Sequence, residues 1–325
     1  MKKQTALTLL ALALSSSVAP ATLAQTKMME ATIVLNWFAE PPLGGYYAAL
    51  KDGLFEAKGV KVTILPGGPN TSGYALLGSG KVQFAQIDSA GILQSREEGL
   101  PFVGVFADLQ LSPQVLMYHK DNPIKNFKDL AGRQVAVTPG APFWDYIVAK
   151  YDLKGKVQQV NYSGQIASFV SDKKAISQGY AVAEPYNIQK TTGEDIGYLL
   201  IGDSGFNPYA FLATTEDFIK TNPAVVKAVV EASQEGWKRY LANPAKYADA
   251  LKAANPDLDN DFQVWSAKAV VPFVTGKNSD TKKYGLGYMS ASRWKTMYEA
   301  LKQVGVLKKD QDYRKAFTNK FLPKP

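Results

Sequence analysis

The chain has no cysteine and a single histidine, His119. Without a thiol there is no disulfide framework, no cysteine nucleophile and no cysteine-bearing zinc set. There is also no thiol to carry a lipid anchor at a processed amino terminus. One imidazole leaves a serine hydrolase formally open, but no Gly-x-Ser-x-Gly elbow precedes a helix. His119, next to Lys120 at a strand end, reads as a surface residue. No Walker loop and no dinucleotide fingerprint is present, so neither a cofactor nor a metal is expected. Runs of basic residues are missing too. The net charge of +8 is scattered and reads as a solvated surface, which argues against nucleic-acid binding.

Long apolar runs are also lacking. The longest near the amino terminus, Ala6 to Leu14, is far below the roughly 18 to 20 residues that span a bilayer. It follows Lys2 and Lys3 and precedes the small residues Ala19-Pro20-Ala21-Thr22-Leu23-Ala24, the three-part pattern of an export signal over 1–24, cut after Ala24. Cleavage after Ala21 is the alternative. Losing Lys2 and Lys3 would lower the formal charge from +8 to +6.

What is present suits a folded two-domain protein. At 325 residues, 46% hydrophobic and 20% charged, the chain is longer than one typical core and ordinary for a globular protein. Its organising stretch runs from Leu35-Asn36-Trp37-Phe38-Ala39-Glu40 through Pro41-Pro42-Leu43 to Gly44-Gly45-Tyr46-Tyr47-Ala48-Ala49. It leaves an apolar strand, Ala31 to Leu35, passes a proline-stiffened turn and opens a helix at two glycines. Asn36, Trp37 and Glu40 thus sit at the carboxyl end of a strand, where open α/β sheets bind ligands.

The strand and helix alternation continues. Val60 to Leu65 alternates with period two, and Pro66-Gly67-Gly68-Pro69-Asn70 is a turn whose amides could face a ligand. Val82 to Ile87 and Val103 to Leu109 are strands flanking a helix from Ala90 to Glu98, for which Asp88 or Ser89 would serve as N-cap. Near Ser112-Pro113-Gln114 the rhythm changes and Val115 to His119 leads into a second lobe. There Gln134 to Thr138, Val157 to Tyr162, Tyr180 to Ala183 and Tyr198 to Ile201 are the strand candidates, with a helix from Phe143 to Tyr151. After Gly205-Phe206-Asn207-Pro208-Tyr209, Ala210 to Thr214 returns to the first lobe. From Thr221 the chain is mostly helical: Pro223 to Leu241 with Asn222 as cap, Pro244 to Ala254, Asp259 to Lys268 and Ser290 to Val304. This tail should pack on the first lobe. Lobe one is thus expected at 25–113 and 210–325, and lobe two at 114–209.

Catalytic chemistry finds little support beyond Glu40 and Glu184, whereas binding chemistry finds more. Several aromatic residues sit at strand-to-helix turns: Trp37, Phe38, Phe143, Trp144, Tyr162, Tyr186 and Tyr209. Phe143 fits its helix's apolar face and Trp144 lies one step off it. Glu184-Pro185-Tyr186-Asn187 places a carboxylate at a strand's carboxyl end, where an amino-bearing ligand could pair with it.

These residues carry a family resemblance. Leu35-Asn36-Trp37, Gly44-Gly45-Tyr46-Tyr47-Ala48-Ala49, Gly53-Leu54-Phe55, Gly80-Lys81-Val82-Gln83-Phe84-Ala85, Ala183-Glu184-Pro185, Gly205 to Tyr209 and Glu235-Gly236-Trp237 together resemble the solute-binding proteins of ABC importers. The group is the nitrate, sulfonate, taurine and thiamine-pyrimidine-precursor binders. The resemblance implies a type II periplasmic-binding fold with two α/β lobes on a two-strand hinge. It further implies a small-molecule solute held between the lobes, periplasmic location, docking on an ABC permease, a monomeric state and no catalysis. Its ligand positions map onto Asn36, Trp37 and Glu184; Glu40, Tyr46, Asp88, Ser89, Trp144, Tyr162, Tyr186, Asn207 and Tyr209 complete the candidate binding set. Two acids near the ligand favour an aromatic nitrogen heterocycle, a thiamine precursor or riboflavin-like compound, over sulfonate, taurine or nitrate. Glu40-Pro41-Pro42 departs from the Asn/Thr-rich loop of thiamine-precursor binders. The family's catalytic branch, cytosolic pyrimidine synthases with a cysteine-rich motif, fits a cysteine-free chain with an export signal poorly, and an exported carboxylate enzyme is the other alternative.

Overall fold

Ten strands form two five-stranded sheets of the same strand order in the computed structural model, which describes residues 28–162, 164–276 and 281–323. The expected export signal lies outside the described residues. The first sheet holds β1 (Met29–Val34), β2 (Val60–Leu65), β3 (Phe84–Asp88), β4 (Phe102–Leu109) and β10 (Ala210–Thr215), in the order β2-β1-β3-β10-β4. The second holds β5 (Gln114–His119), β6 (Gln134–Val137), β7 (Gln158–Asn161), β8 (Ile176–Tyr180) and β9 (Ile196–Leu200), in the order β7-β6-β8-β5-β9. In each sheet the strand reached by crossing over from the other, β10 or β5, runs antiparallel between two neighbours. The two lobes are therefore built on one plan and exchange one strand position.

Helices join the parallel strands. In the first lobe they are α1 (Gly44–Lys51), α2 (Gly73–Gly78) and α3 (Ser89–Glu97); in the second, α4 (Pro142–Lys150), α5 (Ala167–Ser171) and α6 (Glu184–Thr192). The chain then continues through α7 (Glu216–Thr221), α8 (Pro223–Ala242), α9 (Ala248–Ala254), α10 (Asn260–Ala269), α11 (Val271–Thr275), α12 (Thr281–Tyr284) and α13 (Ala291–Gln303). Asp88 caps α3, its carboxylate accepting from Ala90 N and Gly91 N at 2.9 and 3.0 Å. Asn222 stands at the start of α8 but its side chain does not cap it; Pro223 opens that helix instead.

α1 and α8 pack closely because glycines face each other's helix. A Cβ on Gly45 would sit 2.2 Å from the Trp237 ring, and one on Gly236 would sit 2.3 Å from Gly45 O. That approach buries Trp237, Tyr240 and Tyr46, each 1% exposed or less. Such side chains contribute roughly 1.5–3 kcal/mol apiece.

The helical tail does more than cover the first lobe. Ser266 Oγ on α10 donates to Val182 O at 2.8 Å, and Lys190 on α6 pairs with Asp259 at 2.7 Å. α10 thus ties itself to the second lobe.

Besides the Asn222 cap, two expectations need correcting. The strand expected over Tyr180 to Ala183 is β8, Ile176–Tyr180; its polar Ser177 and Gln178 and its Gly179 obscured it. Gly179 leaves room for Met117, whose Sδ would lie 2.7 Å from an added Cβ. His119 is buried at 3% exposure, not on the surface. It ends an internal strand, stacks on Phe169 at 4.3 Å between ring centroids and places Nε2 2.9 Å from Phe169 O.

Candidate ligand cleft

The loop after β1 is positioned by backbone contact with the loop after β2. Leu35 N donates to Leu65 O at 2.9 Å, Gly67 N donates to Trp37 O at 2.8 Å, and a Cβ on Gly67 would meet Leu35 O at 2.2 Å. Only glycine permits that approach. Asn36, Trp37 and Glu40 are thereby held at the rim of a cleft between the sheets.

The cleft has two chambers. The first, about 460 Å³, is lined from the first lobe by Asn36, Trp37, Glu40 and Gln86, and from the second by Thr138, Tyr162, Gln178, Tyr180 and Glu184. The second, about 450 Å³, shares Asn36, Gln86, Thr138, Gln178 and Tyr180 with the first and extends to Thr71, Ser72, Asp88, Gln114 and Tyr209. No lysine, arginine or histidine lines either chamber among the described residues.

The carboxyl groups come one from each lobe. Burial pushes Glu40 up from 4.5 to about 7, the charge of Glu184 adds to the rise, and a hydrogen bond from Trp37 opposes it. Burial also raises Glu184, against the bond it accepts from Tyr180 N at 2.7 Å. Two large rings are left exposed on opposite walls: Trp37 at 40%, edge-on to Phe38, and Tyr180 at 38%.

At the floor, Gln86 is 1% exposed and donates through Nε2 to Asp108 Oδ2 at 3.0 Å. Asp108 is fully buried and raised to about 6, chiefly by burial. Its second oxygen accepts from Leu109 N at 3.1 Å. The Oε1 of Gln86 has no protein partner among the described residues.

Asn36, Trp37, Glu40, Tyr162 and Glu184 come together in the first chamber, and Asp88 and Tyr209 line the second. The remaining candidates lie elsewhere. Tyr46 is fully buried on the inner face of α1, edge-on to Trp237. Trp144 is 4% exposed because the buried arc of α4 is wide, taking in Phe143, Tyr146 and Ile147 as well. Ser89 and Tyr209 exchange bonds, Ser89 N to Tyr209 O and Tyr209 N to Ser89 Oγ, both 3.1 Å. Asn207 accepts from Ser112 N at 2.9 Å and so ties the two crossing segments together. Tyr186 points at α10, donating to Asp259 at 3.0 Å beside Phe262 and Trp265.

Gln86, Thr138, Gln178 and Tyr180 were not singled out from the sequence. Thr138 and Tyr180 stand at strand carboxyl ends, and that position was the available signal. Tyr180 escaped it because the strand was expected to begin there instead of ending.

Two like-built α/β lobes, exchanging a strand position and facing each other across a solute-sized cleft, define a type II periplasmic-binding fold. A profile of the family described as NMT1/THI5 like matches residues 40–247. The chain is 28% identical to a riboflavin-binding protein, RibY, of Chloroflexus aurantiacus over 96% of this chain and 91% of that one. It is 20% identical to a 4-amino-5-hydroxymethyl-2-methylpyrimidine phosphate synthase of Legionella pneumophila, over 90% and 92% of the two chains. Among solved structures, the periplasmic aliphatic sulphonate binding protein SsuA of Escherichia coli superposes with a TM-score of 0.67 at 14% identity, covering 88% of this chain and 91% of that one. The chain belongs to the NMT1/THI5-like family.

Proposed function

We propose that this protein is the periplasmic solute-binding component of an ABC importer. It captures an uncharged aromatic nitrogen heterocycle between its lobes and delivers it, unchanged, to a membrane permease. The observation that carries this reading is the first chamber's lining: one carboxyl group from each lobe, exposed aromatic rings and no cation among the described residues. A bound sulfonate would meet two acids and no counter-charge, whereas the ring N–H and amino groups of a heterocycle would satisfy both acids. Trp37 offers a stacking face. The similarity to a riboflavin-binding protein supports a ring of this type.

Calorimetric titration against riboflavin, hydroxymethylpyrimidine, taurine, alkanesulfonates and nitrate tests the reading. Binding of a heterocycle alone is the expected result; binding of sulfonate or nitrate alone would overturn it. One observation favours a second reading. A carboxyl near pH 7, such as Glu40, suits acid–base catalysis, as an exported enzyme would need. Prolonged incubation with the bound heterocycle followed by mass spectrometry separates the two, since a transport protein returns its ligand unaltered.

A further inference from the structure

Glu40-Pro41-Pro42 denies a carboxyl group the donors that would keep it charged. Glu40 stands at the N-cap of the single turn Pro41–Leu43, where an acid ordinarily accepts from the backbone N–H of the second or third residue. Pro42, the second, has no N–H, and Leu43, the third, donates to Glu40 O at 2.9 Å. The Glu40 side chain makes no cap bond, and its donor is the Trp37 side chain.

Glu184 is placed the other way. It occupies the first position of α6, where the helix dipole favours a negative charge, and it accepts from Tyr180 N at 2.7 Å and from the Tyr162 hydroxyl. The two acids enter one chamber from opposite lobes, with no cation lining it among the described residues. Like charges in such a site leave one acid neutral, and the count of donors puts the proton on Glu40.

The surrounding groups do not reverse that choice. Glu184 is the charged group that acts on Glu40. The turn packs on α1 and α10, and the chamber adds α6. Tyr46, Tyr47, Tyr162 and Tyr180 are pushed up by burial and stay neutral. Asp108, below the floor, is bonded to Gln86. Tyr186 and Lys190 of α6 are bonded to Asp259, and Asp52, just after α1, to Arg239 and Lys246. Lys51 donates to Lys246 O, while Asp261 and Lys268 of α10 are exposed.

We propose that Glu40 meets the solute as a neutral carboxylic acid, presenting an O–H donor beside a C=O acceptor, while the ionised Glu184 accepts only. The solute selected in this way carries an N–H and a hydrogen-bond acceptor side by side on one ring edge, with a further N–H or O–H for Glu184. This rests on the heterocycle reading above and gives it a pH sense. Capture needs the Glu40 proton, so affinity is full below about 7 and falls as pH rises through that value.

Calorimetric titration of riboflavin and of hydroxymethylpyrimidine at pH 6 and pH 8.5, with wild type and Glu40→Gln, tests the assignment. The amide of Gln also carries a donor and an acceptor, but it does not titrate. For whichever compound binds, wild type should lose at least about tenfold in affinity between the two pH values beyond any loss in Glu40→Gln. The variant should bind more tightly than wild type at pH 8.5. Binding to wild type at pH 8.5 should also take up about one proton, seen as a dependence of the measured heat on the ionisation enthalpy of the buffer. The same pH profile in both proteins, or a variant weaker than wild type at both pH values, would overturn Glu40 as a donor while leaving the heterocycle reading intact. If neither compound binds, both readings fall.

Discussion

The Nε2 of Gln86 donates to Oδ2 of Asp108 at 3.0 Å, and that bond decides which end of the Gln86 amide is left over. With Asp108 acceptor-only and its other oxygen engaged by Leu109 N, the spare atom of Gln86 is its carbonyl oxygen. The unpartnered atom beneath the cleft floor is therefore an acceptor, itself buried, which a solute donor would satisfy only by reaching past the present surface. Asp108→Asn offers an amide N–H₂ at that place and should turn Gln86 over, leaving a donor where an acceptor stood. Riboflavin affinity should fall about fivefold or more, roughly the net worth of one hydrogen bond, with circular dichroism unchanged. Wild-type affinity in this variant would separate Gln86 from solute recognition.

Glu40 supplies a pH signature. Its carboxyl holds a proton up to about pH 7 in the folded protein, against 4.5 ordinarily. Between those values the native state binds more protons than the unfolded chain, so this group's contribution to stability is fully present below about 4.5 and is lost as pH rises through 7. Glu40→Gln should therefore gain in melting temperature relative to wild type as pH goes from 5 to 8. Asp108, shared by both proteins, titrates lower, at about 6, and cancels in the comparison. Glu184→Gln should move the Glu40 transition to lower pH, since the Glu184 charge helps to raise it. Parallel melting curves across the range would contradict the burial of Glu40.

Trp37 and Glu184 face the first chamber from opposite lobes. Trp37 is 40% exposed, so truncating it removes little packing. Gln at position 184 keeps an oxygen to accept from Tyr180 N. Trp37→Ala and Glu184→Gln should each weaken ligand binding at least tenfold, about 1.4 kcal/mol or more, with melting temperatures near wild type. Unchanged affinity in both would sink the assignment of this chamber as the binding site.

Gly45→Ala tests the fold and not the site. Its Cβ would lie 2.2 Å from the Trp237 ring, which is packed between Tyr46 and Tyr240. Overpacking of this kind costs about 1–3 kcal/mol. Urea denaturation should show a lower midpoint at constant slope, and a neutral result would mean that α1 and α8 leave room for a methyl group between them.

Much of the fold was legible because hydrophobic patterning and turn chemistry agree along this chain. β2 alternates visibly, Asp88 and Asp259 announce the helices they cap, and Gly44-Gly45 marks the start of α1. β8 is hard to see in sequence because Ser177, Gln178 and Gly179 break its apolar pattern: Ser177 is buried although polar, Gln178 lines the cleft and Gly179 makes room for Met117. The site was half legible. Asn36, Trp37, Glu40 and Glu184 follow strand ends, and strand ends are visible in sequence. Trp144 and Tyr186 are expected in the cleft because an aromatic residue at a turn looks the same whether it meets a ligand or a helix; Tyr46, the other aromatic candidate outside it, lies within α1. Which of these occurs depends on contacts with α8, α10 and the core, from residues far away in the chain.

α6 carries Glu184 at its first position and Tyr186 and Lys190 within its next two turns, the last two both bonded to Asp259 at the start of α10. One short rod therefore has a cleft acid at one end and an anchorage on the tail at the other. Any rocking of the second lobe that swings Glu184 must also work the Asp259 anchorage. Because Lys190 and Asp259 are about half exposed, at 50% and 43%, that anchorage is open to screening by dissolved ions. Ionic strength should thus act on how readily the lobes part, even though no cation within the described cleft would make solute capture itself salt-dependent.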